Sequence, residues 1–320
     1  MKIDIISQLP KDSMKGIQIT AQRWMGFLSE LGHDAAVLPA CREGGCDAAI
    51  AIGVRENHVI LSAMTAHHAA RPLAILLSGS DLYGGGLQEA GSADLLERAR
   101  RLVVLQPGAL EVLPEAYRIK TRVIYQSAEK PKSPPEKRKR TFDVCVISHL
   151  REKKDPFRTA LAARLLPKDS RIRIQHLGGV VDRHLKITAV QEMGRNNRYQ
   201  WLGQKAAWEA RRMLAESQLV VITSREEGGA TVISEAVVSG IPVLASRIPG
   251  NVGLLGEDYP GYFPVGDTEA LAGLMARVEG DADFRSALQA HIAALEERFS
   301  PETEKAALAE LAADLNPDHR

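Results

Sequence analysis

Short apolar runs alternate along this chain with longer stretches of helical period, the pattern of strand-helix-strand units on a parallel sheet. In the first half it predicts strands at Lys2 to Ser7, Asp34 to Leu38, Ala48 to Ile52, Leu73 to Ser78, Arg101 to Leu105 and Arg122 to Tyr125. Helical stretches such as Ile19 to Leu31 separate several of them. The pattern then restarts, with strands at Phe142 to Ser148, Arg171 to Leu177, Tyr199 to Gly203, Leu219 to Thr223, Pro242 to Ser246 and Gly261 to Pro264. The class is α/β, in two similar halves: a Rossmann-like domain over 1–128, a second over 141–300, and a helical tail over 301–320 that reads as a packing helix. Ligands of such sheets bind beyond the carboxyl ends of the strands, so two such domains are expected to take a ligand in the cleft between them.

Between the halves lies 129–140, from Glu129 to Arg140, where three prolines block regular structure and charge keeps the chain in water. The segment reads as a linker. A basic run can also signal nucleic acid, but this one has no interleaved aromatic residues.

The most informative segment runs from Leu219 to Ala245: a strand, a turn with Gly228 and Gly229, a helix and another strand. The two glycines allow close backbone approach, and free amides over Ala230 and Thr231 at the helix start favour a phosphate or a polar sugar. Glu227 and Glu235 stand eight positions apart, about 12 Å of rise if both lie on the helix. That separation suits the two ends of a nucleotide sugar. The alternative is an ordinary βαβ unit in which Glu227 caps the helix and Glu235 makes a surface ion pair. A second cluster, His149-Leu150-Arg151-Glu152-Lys153-Lys154, follows the first strand after the linker.

Length and composition fit this picture. At 320 residues, 45% hydrophobic and 25% charged, the chain can bury two cores, and a net charge of +1 gives no general pull toward nucleic acid or membrane. Three scattered cysteines, Cys41, Cys46 and Cys145, make no disulfide framework and fit a reducing cytoplasm. The start, Met1 to Ile6, has an acid within its apolar run, unlike a secretory signal, and no apolar stretch approaches the roughly 20 residues that span a bilayer. His67 and His68 are adjacent and point apart on a helix, His176 and His184 are no better, and no carboxylates cluster at ligand spacing, so no metal and no cofactor are expected. Trp24, Trp201 and Trp208 read as packing residues.

The Glu227 to Glu235 stretch resembles the Glu-x7-Glu region of retaining glycosyltransferases with the GT-B fold, two Rossmann-like domains with parallel sheets facing a central cleft. The resemblance implies that Glu227 contacts the donor sugar, that Glu235 holds the ribose, and that Leu202 and Gly203 hold the base, uracil. The segment from Val146 to Pro156 resembles the family's Gly-Arg-Leu-x-x-x-Lys. It implies that Lys154 neutralises the departing diphosphate. His149 stands where the family has arginine, which leaves Arg151 as the expected second phosphate contact.

Further phrases, among them Thr20 to Trp24, Ser78 to Tyr83, Arg122 to Ser127 and Ala245 to Gly253, look like a narrower group, the selenosugar synthases of selenoneine biosynthesis, within the glycosyltransferase family 4-like enzymes. That resemblance implies metal-independent transfer of a hexose, N-acetylglucosamine, from a UDP-sugar to selenophosphate, giving a 1-selenosugar with a C–Se bond. Selenium is a strong nucleophile, so no powerful base is needed. Gly16 is then expected in a loop near the donor phosphates, Thr20 and Arg23 at the start of the next helix, and Ser80, Asp81, Arg23 and Arg247 around the acceptor. Turn formation or helix capping is the alternative for these residues. Rival functions are a GT-B enzyme using a small hydroxyl or thiol acceptor, a nucleotide-sugar epimerase or hydrolase, and a non-catalytic sensor.

Overall fold

The computed structural model describes residues 1–8, 16–42, 45–67, 71–131, 137 and 140–317. Most of the expected linker (132–136 and 138–139), His68 and the last residues of the expected tail (318–320) lie outside the described residues.

All twelve predicted strands form: β1 (Lys2–Ile6), β2 (Asp34–Leu38), β3 (Ala48–Ile52), β4 (Leu73–Leu76), β5 (Arg101–Val104), β6 (Thr121–Val123), β7 (Phe142–Ile147), β8 (Ile172–Leu177), β9 (Tyr199–Trp201), β10 (Leu219–Ile222), β11 (Val243–Ser246) and β12 (Tyr262–Phe263). Several stop short of the predicted end because the chain turns soon after: Ser78 caps a helix, and Gly203 takes φ +69°.

The chain divides into two compact units, Met1–Ser127 with Pro301–Arg320, and Ala128–Ser300. The first holds a parallel sheet of order β2-β1-β3-β4-β5-β6, the second one of order β12-β11-β10-β7-β8-β9. In the first sheet the side chains alternate between two cores. Ile50 and Ile52 join Trp24 and Leu28 of the helix Gly16–Glu30 on one face, while Ala49 and Ala51 join Leu61 and Leu82 on the other.

The segment read as a tail belongs to the first unit. The helix Pro301–Asp314 and the residue that follows bring Leu308, Leu311 and Leu315 against Trp24 and Leu28. Glu304, 1% exposed, accepts from Arg23 Nε at 2.8 Å and Nη2 at 3.0 Å, Trp24 Nε1 at 2.7 Å and Ser127 N at 2.7 Å. A buried carboxylate so well supplied with donors is stable there. Among the described residues no helix is long and apolar enough to cross a membrane.

Candidate active site

The second sheet reverses its strand order between β7 and β10, its topological switch point, where an open parallel sheet leaves a crevice at its carboxyl edge. The turns that follow these two strands are laced together. Thr223 Oγ1 donates to the carbonyl oxygens of Lys154 and Asp155, both at 2.9 Å, and Arg225 N donates to Lys153 O at 2.8 Å. Lys153 Nζ meets Glu226 Oε1 at 3.0 Å, and Lys154 Nζ pairs with Glu227 Oε1. Asp155, held between Lys154 and Pro156, takes the left-handed φ of +44°, a conformation that costs about 1 kcal/mol or more in a residue with a Cβ. Its carboxylate is fixed by Arg158 Nε at 2.9 Å.

Lys154 and Glu227 are thus brought together by neighbouring strands although they lie far apart in the chain. Behind them runs a chain of hydroxyl and amide groups. Ser224 Oγ donates to Glu227 Oε1 at 2.6 Å, Ser246 Oγ donates to Ser224 O, and Asn251 Nδ2 donates to Ser246 O at 2.9 Å. Gly250 lies so close that a Cβ there would stand 2.1 Å from Glu227 O. Arg151 is exposed, and its carbonyl accepts from Lys154 N at 2.9 Å, which starts the tight turn Glu152–Lys154.

The helix after β10 spans Thr231–Val238. Glu227 therefore precedes the helix, in the turn with Gly228 and Gly229, and the 12 Å helical separation from Glu235 expected of the sequence does not apply. Nor does Glu227 cap the helix, because the N-cap is Ala230, whose methyl group offers the first amides no acceptor. Glu235 is half-buried within the helix.

Two strands beyond β7, Leu202 and Gly203 close β9: Leu202 N donates to His176 O at 2.8 Å and Gly178 N to Gly203 O at 2.9 Å. Trp201 Nε1 donates to Gly178 O at 2.9 Å. Gly178 has φ +152°, and a Cβ there would meet Ser148 O at 1.9 Å. His149 Nδ1 accepts from Gly179 N at 3.1 Å, so this imidazole anchors the turn after β8. His176, fully buried, lies between Ser148 O at 3.0 Å and Tyr199 Oη at 2.8 Å, and burial pushes its pKa down to about 4.

In the first unit, Gly16 is an exposed residue at the start of the helix Gly16–Glu30 rather than in a loop. Thr20 and Arg23 lie inside that helix and do not open it. Thr20 Oγ1 is buried, donates to Gly16 O at 3.0 Å and accepts from Gln126 Nε2, and the Arg23 fork is taken up by Glu304. Asp81 is 0% exposed and holds backbone: Oδ1 accepts from Val54 N at 3.2 Å and Arg55 N at 3.0 Å, Oδ2 from Ser78 N at 2.7 Å. Ser78 and Asp81 form a capping box, with Ser80 half-buried on the same short helix. Arg247 belongs to the second unit, where it pairs with Glu257 at 2.6 Å and lies over the Tyr262 ring. Trp24 is fully buried, whereas Trp208 is 60% exposed, with the Arg212 guanidinium over its ring.

The model of the family described as glycosyl transferases group 1 matches residues 127–293, just over half of the 320. The chain belongs to this family. Among solved structures, HepE of Anabaena, determined with UDP and glucose, has a TM-score of 0.81 at 18% identity, over 98% of this chain and 99% of its own. Sucrose-phosphate synthase of Thermosynechococcus elongatus gives 0.76 at 15% identity, over 98% of both chains. The pneumococcal O-GlcNAc transferase GtfA gives 0.64 at 16% identity, over 92% of this chain and 60% of its own. At such identities the likeness is one of fold, and the fold is GT-B. No curated protein matches the chain.

In this glycosyltransferase, sequence reasoning missed Thr223, Ser224, Ser246, Asn251 and Gly250. The one available signal was their position just past the carboxyl ends of β10 and β11, where ligands bind in open α/β sheets.

Proposed function

We propose that the protein transfers N-acetylglucosamine from its uridine diphosphate ester to the selenium of selenophosphate, without a metal ion. The selenium lone pair forms the bond to C1 as the C1–O bond to UDP breaks; water then cleaves Se–P, releasing phosphate and the 1-selenosugar. The observation that supports the donor half is the Lys154–Glu227 pair at the switch point, beside a helix start that no side chain caps. An incoming diphosphate competes with Glu227 for the ammonium, which frees the carboxylate to accept from sugar hydroxyls. Lys154 then balances charge that grows on the leaving group, as a divalent cation would elsewhere. Arg151, exposed on the same turn, is the second phosphate contact; Glu235 holds the ribose and the turn at Leu202 and Gly203 the uracil. HepE, of the same fold, was solved with UDP and glucose, which agrees with a UDP-sugar donor.

The acceptor half rests on the resemblance of phrases in both units to the selenosugar synthases. On the first unit Ser80 remains for the acceptor, since Arg23 and Asp81 are engaged within the fold. Arg247, half-exposed, is the candidate cation of the second unit.

The test is anaerobic incubation of chelator-treated protein with UDP-N-acetylglucosamine, with and without enzymatically generated selenophosphate, followed by mass spectrometry. UDP and a selenium-containing hexose should form only with selenophosphate. UDP formation that proceeds only with a hydroxyl or thiol acceptor would overturn the acceptor assignment.

A further inference from the structure

In the first unit, the connection between β2 and β3 brings two cysteines together. Gly45 N donates to Arg42 O at 3.1 Å, and Gly45 takes φ +85°, which suits glycine. The two sulfurs lie 3.8 Å apart, with the Cys46 thiol donating to Cys41 Sγ. A disulfide needs about 2 Å between them, so a small shift of the two side chains closes the bond.

Asp4 is the third group within reach, and the three ligand atoms lie within 4.8 Å of one another. The surroundings decide between a metal and a redox pair. Both Asp4 oxygens are taken by Arg42, from Nε at 2.6 Å and from the backbone amide at 2.9 Å. A second guanidinium, Arg71, lies over Gly45, where a Cβ would stand 2.9 Å from Nη2, and Arg71 Nη1 is buried with no hydrogen-bond partner among the described residues. Two guanidinium groups repel a divalent cation and favour a thiolate. The donated Cys46 thiol, with Arg71 beside it, brings Cys41 down to about 7 against the pull of burial. Cys46 is pushed up, first by the same hydrogen bond. The half-buried Cys41 is the attacking sulfur and Cys46 the resolving one.

We infer that Cys41 and Cys46 are a thiol–disulfide couple, which a peroxide converts into an intramolecular disulfide across the β2–β3 connection. Cys41 thiolate attacks a peroxide oxygen, the O–O bond breaks, and sulfenic acid forms as hydroxide leaves and takes a proton. Cys46 then attacks the Cys41 sulfur, the S–O bond breaks, and a second water leaves. Two thiols and one hydrogen peroxide give one disulfide and two waters.

The full chain, reduced and then treated with hydrogen peroxide, tests this. Trypsin cuts after Arg42, so the disulfide joins peptides 24–42 and 43–55, and the mass falls by two hydrogens. Cys145, 0% exposed and pushed up to about 12 by burial, is the internal control that stays reduced. Cys46→Ser should trap sulfenic acid on Cys41 as a dimedone adduct that the wild type does not accumulate. Unlinked peptides from the oxidised folded protein, or stoichiometric zinc that blocks oxidation of the reduced protein, would overturn the inference.

Discussion

Lys154 and Glu227 neutralise each other, so changing either alters both charge and posture of the turn. Lys154→Ala should lower kcat about 100- to 1,000-fold, the scale of one lost electrostatic contact to a developing anion, with a smaller change in donor KM. Glu235→Ala should instead raise donor KM and leave kcat within a few-fold if Glu235 holds the ribose as proposed, because such a contact is the same before and during transfer. Steady-state kinetics separate the two, and equal loss of kcat in both variants would contradict the division of roles. Resemblance to family motifs is what singles these residues out, since the helical spacing expected between Glu227 and Glu235 does not hold. Ser224 and Asn251 were not legible, since their roles exist only where the turns after neighbouring strands meet. Arg23 misled for a related reason: an arginine near a helix start reads as an anion site until Glu304, near the other end of the chain, is folded against it.

Strands were the most legible elements, since buried parallel strands are short apolar runs bounded by turn residues. What the pattern did not resolve was where the helix begins, so the rise of about 12 Å that supposes Glu227 and Glu235 on one helix fails with a helix that starts at Thr231. Two elements depend on the contacts found there. Gly250 opens the helix Pro249–Leu255 one van der Waals layer from the Glu227 carbonyl. Gly250→Ala should displace the Glu227 turn and lower kcat/KM at least tenfold, while circular dichroism still reports a folded chain. Strand β8 predicts a pH effect through His176, whose folded pKa of about 4 lies below its ordinary 6.5. As pH falls below 6.5 the unfolded chain takes up the proton first, so stability present above 6.5 is lost between 6.5 and 4, by about 3 kcal/mol. Urea unfolding at stepped pH measures this slope, which His176→Asn should remove from that window.

At the scale of the molecule, the restart of the strand pattern after the linker announced two units, and each has its own sheet. The affiliation of the last helix was not legible. Its apolar spacing says that it packs, and nothing local says against what; contacts such as those of Glu304, Leu308 and Leu311 assign it to the first unit. Glu304→Ala leaves Arg23 and Trp24 Nε1 without their acceptor inside that unit and should cost about 3 to 5 kcal/mol. Thermal or urea unfolding should show this loss in the first unit's transition, with the second unit's unchanged.

The same arrangement sets an order of events during synthesis. The second unit is one continuous stretch, Ala128–Ser300, and can close as soon as it leaves the ribosome. The first unit is made first yet finishes last: the apolar cluster around Trp24 and Leu28 lacks Leu308, Leu311 and Leu315 until the segment beginning at Pro301 has emerged. For most of translation that cluster is incomplete, so chaperone demand should fall on the earliest part of the protein rather than on the part still being made.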